Sequence, residues 1–216
     1  MPGVRFCWHS SISGPAPLIT GVGQNDLSAY DTARSILSRL PKVVLRSQSV
    51  SDWAGEYPLP SAVAEYYSNL GPVDVWLESY GNPYSLPSLS RLWSHQVGYR
   101  THGNTGERLP DWEDDWLVIA DQGGDPFIFS RTTSRILHAY HGEGVWEPDQ
   151  IFESLPEMAT SLAILGEIVG SAGREFTDED SLIRPQFREE ARARILAFAG
   201  PSRADEIVAC LGWSAH

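Results

Sequence analysis

The sequence contains little cysteine and no long apolar segment. Its two cysteines, Cys7 and Cys210, lie near opposite ends of the 216 residues. This usage favours two reduced thiols of a cytosolic protein over a disulfide between the ends. No apolar run approaches the ~18 to 20 residues of a membrane helix. The N-terminal residues also lack the apolar core of a secretory signal. We therefore expect a cytoplasmic protein with no membrane partner.

Signatures of nucleophilic and phosphate chemistry are lacking as well. The sequence has no GxSxG elbow and no SxxK motif, and neither cysteine has a neighbourhood typical of a catalytic thiol. The GVG of residues 21–23 is followed by Gln-Asn, and no Gly-Lys-Ser/Thr completes a phosphate loop. Acids are abundant enough to form a glycosidase-type pair, but no two are singled out by position. These absences predict that the protein is not an enzyme and needs no cofactor.

Two motifs resemble metal sites only in part. HAYHGEG brings His138 and His141 close to Glu143, but the two histidines sit at the end of a predicted strand. Residues three apart on a strand point to opposite faces, so these histidines would not converge on one ion. Residues 121–125 resemble part of a calcium loop, but the third acid and the late bidentate glutamate of such a loop are missing. We therefore predict no metal site.

The charge that is present is concentrated in the middle of the chain. Residues 51–160 hold five Lys/Arg and seventeen Asp/Glu, a net charge of −12 that equals the net charge of the whole chain. Residues 1–50 and 161–216 carry +3 and −3. An acidic segment repels nucleic acid and anionic lipid, and it speeds the encounter with a cationic protein. Plain solubility is the alternative explanation of the same charge.

Hydrophobic periodicity predicts alternating helices and strands in the first half of the chain. A hydrophobic content of 42% with eight tryptophans is typical of a globular domain. The predicted order is helix, short strand, helix, strand, helix and polar loop, at residues 25–40, 43–46, 59–71, 73–77, 85–93 and 95–111. The first helix has Asn25 and Asp26 as candidate N-caps.

The second half begins with the most regular pattern of the sequence. Three apolar runs at 116–120, 126–130 and 135–140 are joined by short turns and predict an antiparallel meander. In the first turn we expect Gly123 and Gly124 to adopt positive φ, Asp125 to cap the turn amides and Pro126 to start the next strand. All four residues are thus assigned a structural role. Three helices follow, one opened by the capping box of residues 154–157 and two at 187–200 and 202–212.

These elements predict an α+β fold with an antiparallel-rich central sheet, a three-strand meander and helices packed on the sheet. We expect an N-terminal arm with a helix and a short strand at residues 1–50. The α+β domain then occupies residues 51–165. A C-terminal helical extension, residues 166–216, is expected to pack on the same domain.

The segments LPSAVAEYYSNLG, LPSL, WLVIADQGGDPFIF, RILHAYHGEG and FESLPEMATSL follow one another within residues 50–165. Their order resembles the SUKH superfamily of bacterial immunity proteins, which are related to fungal regulators of cell-wall assembly. Leu59, Pro60 and Gly71 fit the first motif, and Phe152 and Leu155 stand at the last helix. Residues 116–129 fit best. The resemblance implies binding rather than catalysis: bacterial members look like antidotes that occupy toxin domains, often nucleases.

An acidic antidote suits a basic toxin, so we expect the partner to be a cognate toxin, such as a nuclease, with no direct nucleic-acid contact. One expected contact segment has Trp112 as an exposed anchor among four acids, whereas Trp116 is expected in the core. A second acidic patch is expected after the third meander strand. The candidate partner-binding residues are Asp111, Trp112, Glu113, Asp114, Asp115, Glu143, Glu147 and Asp149. The alternatives are a housekeeping scaffold of the same fold and, more remotely, a carboxylate-dependent hydrolase.

Overall fold

The computed structural model describes residues 29–142 and 144–214. Within these ranges the chain forms six strands and six α-helices. The strands are β1 (Val75–Leu77), β2 (Tyr84–Leu86), β3 (Trp116–Gln122), β4 (Asp125–Ser130), β5 (Ile136–His138) and β6 (Asp149–Phe152). The helices are α1 (Asp31–Leu37), α2 (Ser61–Asn69), α3 (Leu89–Leu92), α4 (Leu155–Ala172), α5 (Pro185–Ala199) and α6 (Pro201–Cys210). The predicted α+β class is confirmed.

The six strands form one antiparallel sheet in which every strand pairs with its neighbour in the sequence, in the order β1-β2-β3-β4-β5-β6. The predicted meander is its centre, β3 to β5. Two strands were not predicted. β2 lies in a segment that was assigned to a helix, and β6 in a segment that was taken only as the approach to α4. Both have three or four residues, too few to show a period in the sequence.

Helix α4 packs across one face of the sheet and organises the core. The Ser154 hydroxyl accepts a hydrogen bond from the Glu157 amide at 3.4 Å, and the Glu157 carboxylate accepts one from the Glu153 amide. The first bond is the predicted N-cap bond. The second reaches the Glu153 amide and not the Ser154 amide that a capping box requires, so the box is only half formed. Pro156 sits in the first turn, where its missing N–H costs little. Because α4 runs unbroken from Leu155 to Ala172, the predicted boundary at residue 165 falls inside a helix.

Both ends of the described chain pack on this core. Ala33 and Leu37 of α1 are fully buried, whereas the candidate caps Asn25 and Asp26 lie outside the described residues. The predicted strand at 43–46 is reduced to a single bridge between Leu45 and Pro72.

The two C-terminal helices belong to the same hydrophobic cluster as α4. Their buried side chains in that cluster are Ala191, Ile195, Ala204, Ile207 and Val208. Arg203 of α6 donates to the Ile151 carbonyl of β6 at 2.5 Å, and it also lies 3.5 Å from the Glu157 carboxylate of α4. The C-terminal extension is therefore tied to both the sheet and its central helix.

Candidate protein-binding surface

The sheet has a second face, opposite α4, which we call the outer face. The regular alternation of side chains between the two faces is interrupted in β3 by a register shift between Val118 and Ala120. Because of this bulge, Ile119 and Ala120 both join the core on the α4 side, and Val118 and Asp121 both lie on the outer face. A regular strand would place residues three apart on opposite faces. The bulge therefore delivers a carboxylate to the outer face.

Residues 94–115 fold over the outer face and are fastened by one glutamine. The Gln96 side chain accepts from the Val118 amide at 2.9 Å and donates to the Val118 carbonyl at 2.9 Å. It also donates to the Leu92 carbonyl at 2.8 Å. A side-chain amide thus replaces the strand partner that this part of β3 lacks, because β2 pairs only with residues 121 and 122. Gln96 is 2% exposed, so these bonds are shielded from water.

An aromatic layer, defined as Tyr99, Trp112, Trp116 and Trp146, covers the outer face. The Trp112 ring lies 5.2 Å from that of Trp116, 5.6 Å from that of Trp146 and 5.7 Å from that of Tyr99. The layer packs on Val118, Ile128 and Ala139 as a second, smaller core. Trp112 is 2% exposed. The expectation of an exposed Trp112 anchor is therefore wrong, because a residue 34 positions later covers it.

Asp114, predicted as a free acidic contact, is paired with arginines. Its carboxylate lies 2.6 Å from Arg108 and 3.3 Å from Arg100. The hydrogen bond and charge of Arg108 are the main reasons that the pKa of Asp114 lies below its ordinary value. Arg131 also contributes, and its guanidinium lies 4.0 Å from the centre of the Tyr57 ring. The charge of Asp114 is thus offset locally, although its side chain is 81% exposed.

Asp115, a second predicted contact, is engaged in holding the β4–β5 turn. Its carboxylate accepts from the Ser130 hydroxyl at 2.5 Å and from the Thr132 amide and hydroxyl at 2.7 Å each. Burial raises the pKa of this carboxyl, but the three hydrogen bonds and the charge of Arg131 outweigh burial and leave the pKa below its ordinary value. Asp115 is therefore a structural residue rather than a free contact.

This assignment predicts a pH effect on stability. A lowered pKa in the folded state stabilises the protein above the ordinary aspartate pKa of about 4, and this stabilisation is lost as the pH falls through the folded value. The urea midpoint of Asp115→Asn should consequently fall less between pH 6 and pH 3 than that of the unmodified protein. Asp111→Asn, a substitution at an exposed acid, is the matched control for the loss of one carboxylate. Equal pH dependence in all three proteins would contradict the role assigned to Asp115.

The remaining predicted acids are the ones available to a partner. Asp111, Glu113, Glu147 and Asp149 are exposed, and Glu143 lies outside the described residues. The two acidic segments were predicted as separate patches. The structure brings them together, because Trp112 and Trp146 touch and each is followed by one of these exposed glutamates.

The loops that cover the outer face also expose apolar side chains. Val97, which precedes Tyr99 by two residues, is 51% exposed, and Val145, next to Trp146, is 55% exposed. These valines add exposed apolar area to the loops that also carry the exposed acids Glu113 and Glu147. Sequence reasoning missed both valines. The hydrophobic pattern could not reveal them, because it does not distinguish a valine that faces the core from one that faces water in an irregular loop.

The predicted turn joins β3 and β4 as a two-residue loop. Gly123 and Gly124 have φ of +65° and +106°, the positive values that a tight hairpin loop needs. Asp125 was expected to cap the turn amides. Instead the Asp121 carboxylate accepts from the Gly124 amide at 3.3 Å, and Asp125 accepts from the His141 amide at 2.8 Å. Asp125 therefore fixes the next loop rather than its own turn, and Pro126 lies inside β4 opposite Asp121.

The two histidines of the HAYHGEG motif lie in different environments, and Glu143 of the same motif lies outside the described residues. His138 is buried, and burial lowers its pKa to about 4, so its imidazole is neutral at pH 7. His141 is exposed and lies 2.6 Å from Asp125. No cluster of three potential ligands occurs in residues 29–142 and 144–214. In the same ranges, no helix is both long and apolar enough to cross a membrane.

Comparison of the chain with protein-family models, with curated proteins and with solved structures gave no significant match.

Proposed function

We propose that the protein is an immunity protein that binds and neutralises a basic toxin domain, such as a nuclease, through the outer face of its sheet. The observation that carries the proposal is the meeting of two exposed acidic segments across the Trp112–Trp146 contact. Asp111 and Glu113 lie on one side of this contact and Glu147 on the other. Nuclease domains hold phosphates with basic side chains, so an acidic surface complements them.

The buried and the exposed residues of this surface have different roles in the proposed binding. The buried aromatic layer keeps the two loops in place before any partner arrives, and preorganised loops lose little conformational freedom on binding. The exposed acids supply long-range attraction, whereas Val97 and Val145 supply apolar area that becomes buried in the complex. Asp114 and Asp115 contribute indirectly, because they fix the arginines and the turn beneath the surface.

The experiment is co-expression of the protein with each toxin-like domain encoded beside its gene, in a bacterial host that the toxin kills. We expect growth to be restored and a stable complex to co-purify. The variant Asp111→Lys/Glu113→Lys should associate with the toxin at least about tenfold more slowly at low salt, because association between opposite charges is steered by their field. The difference should shrink at high salt, where charges are screened.

A matched control separates the outer face from net charge alone. Glu179→Lys/Glu189→Lys makes the same change in charge at two exposed residues of the C-terminal region and should slow association less than the outer-face variant does, because steering is strongest for charges close to the binding surface. Equal slowing by both double variants would remove the outer face from the proposal. Failure to bind or neutralise any adjacent toxin would favour the scaffold alternative.

A further inference from the structure

A groove of about 290 Å³ lies on the part of the outer face that the loops leave open. Its lining includes Trp76 of β1, Ser85 of β2 and Asp121 of β3. These three residues are directly opposite one another in the ladder, Trp76 with Ser85 and Ser85 with Asp121. Side chains opposite one another in a ladder share a face. The groove is therefore a slot with a small residue as its floor and a larger side chain on each side.

The dimensions of the slot suit one planar group. Neighbouring strands lie about 4.8 Å apart, so the Cα atoms of Trp76 and Asp121 are about 10 Å apart across β2. Trp76 is 64% exposed, the most exposed of the large apolar side chains among the described residues. An indole exposed to this degree presents a face on which a flat cation can stack.

The opposite wall carries a carboxylate that forms no ion pair within the described part of the chain, and the arginine of the groove lining is Arg91. Asp121 accepts from the Tyr99 hydroxyl at 2.6 Å and from the Gly124 amide at 3.3 Å, both neutral donors. No Lys or Arg among the described residues lies within 4.0 Å of it, in contrast to Asp74 at the end of the groove, which lies 3.6 Å from Arg91. His95 also lines the groove, and burial lowers its pKa, which favours the neutral imidazole.

We propose that this slot receives an arginine side chain of the basic partner, with the guanidinium stacked on Trp76 and hydrogen-bonded to Asp121. Arginine fits better than lysine, because its guanidinium is planar, stacks on aromatic rings and offers paired donors to a carboxylate. The slot joins the aromatic layer through the Tyr99–Asp121 hydrogen bond, so a partner that covers the layer can reach both. This inference depends on the proposed function for the identity of the partner.

The test uses N-acetyl-arginine methylamide as the probe, with the citrulline derivative as an uncharged control of the same shape, at constant ionic strength. The indole N–H signals of the protein are followed by ¹⁵N NMR, and Trp76→Phe identifies the signal of Trp76. We expect the Trp76 signal to shift with a dissociation constant in the millimolar range for the arginine probe and to stay in place with citrulline.

Two variants assign the contacts. Asp121→Asn keeps an oxygen that can accept from Tyr99 and Gly124, so the fold is preserved, and it should weaken binding of the arginine probe about three- to tenfold. Glu65→Gln makes the same charge change on the exposed side of α2 and should leave the affinity unchanged. The proposal would be overturned if the Trp76 signal did not shift with the arginine probe, or if it shifted equally with the citrulline derivative. Equal weakening of probe binding by both variants would also overturn it.

The outcomes distinguish this inference from the proposed function. If a toxin is neutralised but the probe does not bind beside Trp76, the partner uses the acids around the aromatic layer and the slot assignment is wrong. If the probe binds and no toxin does, the slot is a cation site of a protein with another role.

Discussion

Replacing Trp112 by alanine should lower the free energy of unfolding by about 3–5 kcal/mol, the usual cost of removing a buried aromatic side chain. Trp112 contacts the rings of Tyr99, Trp116 and Trp146. Loss of the Trp112 ring would leave a cavity in the aromatic layer, and this small cluster has too few side chains to fill the cavity by repacking. Urea denaturation gives the value, with the slope checked to be unchanged so that the midpoint reports stability.

The matched control is Trp76→Ala. The two side chains are chemically identical and lie on the same face of the sheet, but Trp76 is 64% exposed and Trp112 is 2% exposed. Trp76→Ala should change the stability by no more than about 0.5 kcal/mol, as is usual for surface substitutions. A small effect at Trp112 together with a large one at Trp76 would mean that the two tryptophans have the opposite roles.

Gln96→Leu should also be strongly destabilising, by roughly 2–6 kcal/mol for two buried polar groups left unsatisfied. Leucine fills a similar volume but leaves the Val118 amide and carbonyl without their side-chain partner, and each buried polar group left unsatisfied costs about 1–3 kcal/mol. Gln150→Leu is the comparison. The Gln150 side chain is exposed and bonds only to the exposed Glu153 side chain among the described residues, so this substitution should be close to neutral. A midpoint for Gln96→Leu that matches that of Gln150→Leu would show that the glutamine is not needed to hold the loop.

The parts of the fold that the sequence predicted are those set by neighbouring residues. The meander was predicted because apolar runs alternate with turn residues over a few positions, and Gly123-Gly124 encodes its first turn locally. The start of α4 was predicted because the Ser154 hydroxyl caps the Glu157 amide, which lies only three residues later.

The parts that the sequence did not predict depend on contacts between distant residues. The burial of Trp112 is due to Trp146, and nothing in the spacing of the two indicates that their rings meet. The neutralisation of Asp114 depends on which way Arg100 and Arg108 point in a loop without a period. Five neighbouring candidates for binding thus separated into one buried ring, two structural carboxylates and two free acids, a division that only the tertiary structure decides.

The bulge in β3 has a consequence for how the length of this chain can vary. Between Val118 and Ala120 the strand is one residue longer than the stretch of β4 opposite it. A protein shortened by one residue at 119–120 would keep Trp116 and Asp121 on the outer face, with its hairpin in regular register. After a one-residue deletion elsewhere between Trp116 and Asp121, β3 would also have to lose its bulge to keep both residues on the outer face. An alignment with a distant relative should therefore be allowed a gap at this point. Without it, the residue that corresponds to Asp121 would be matched one position out of phase.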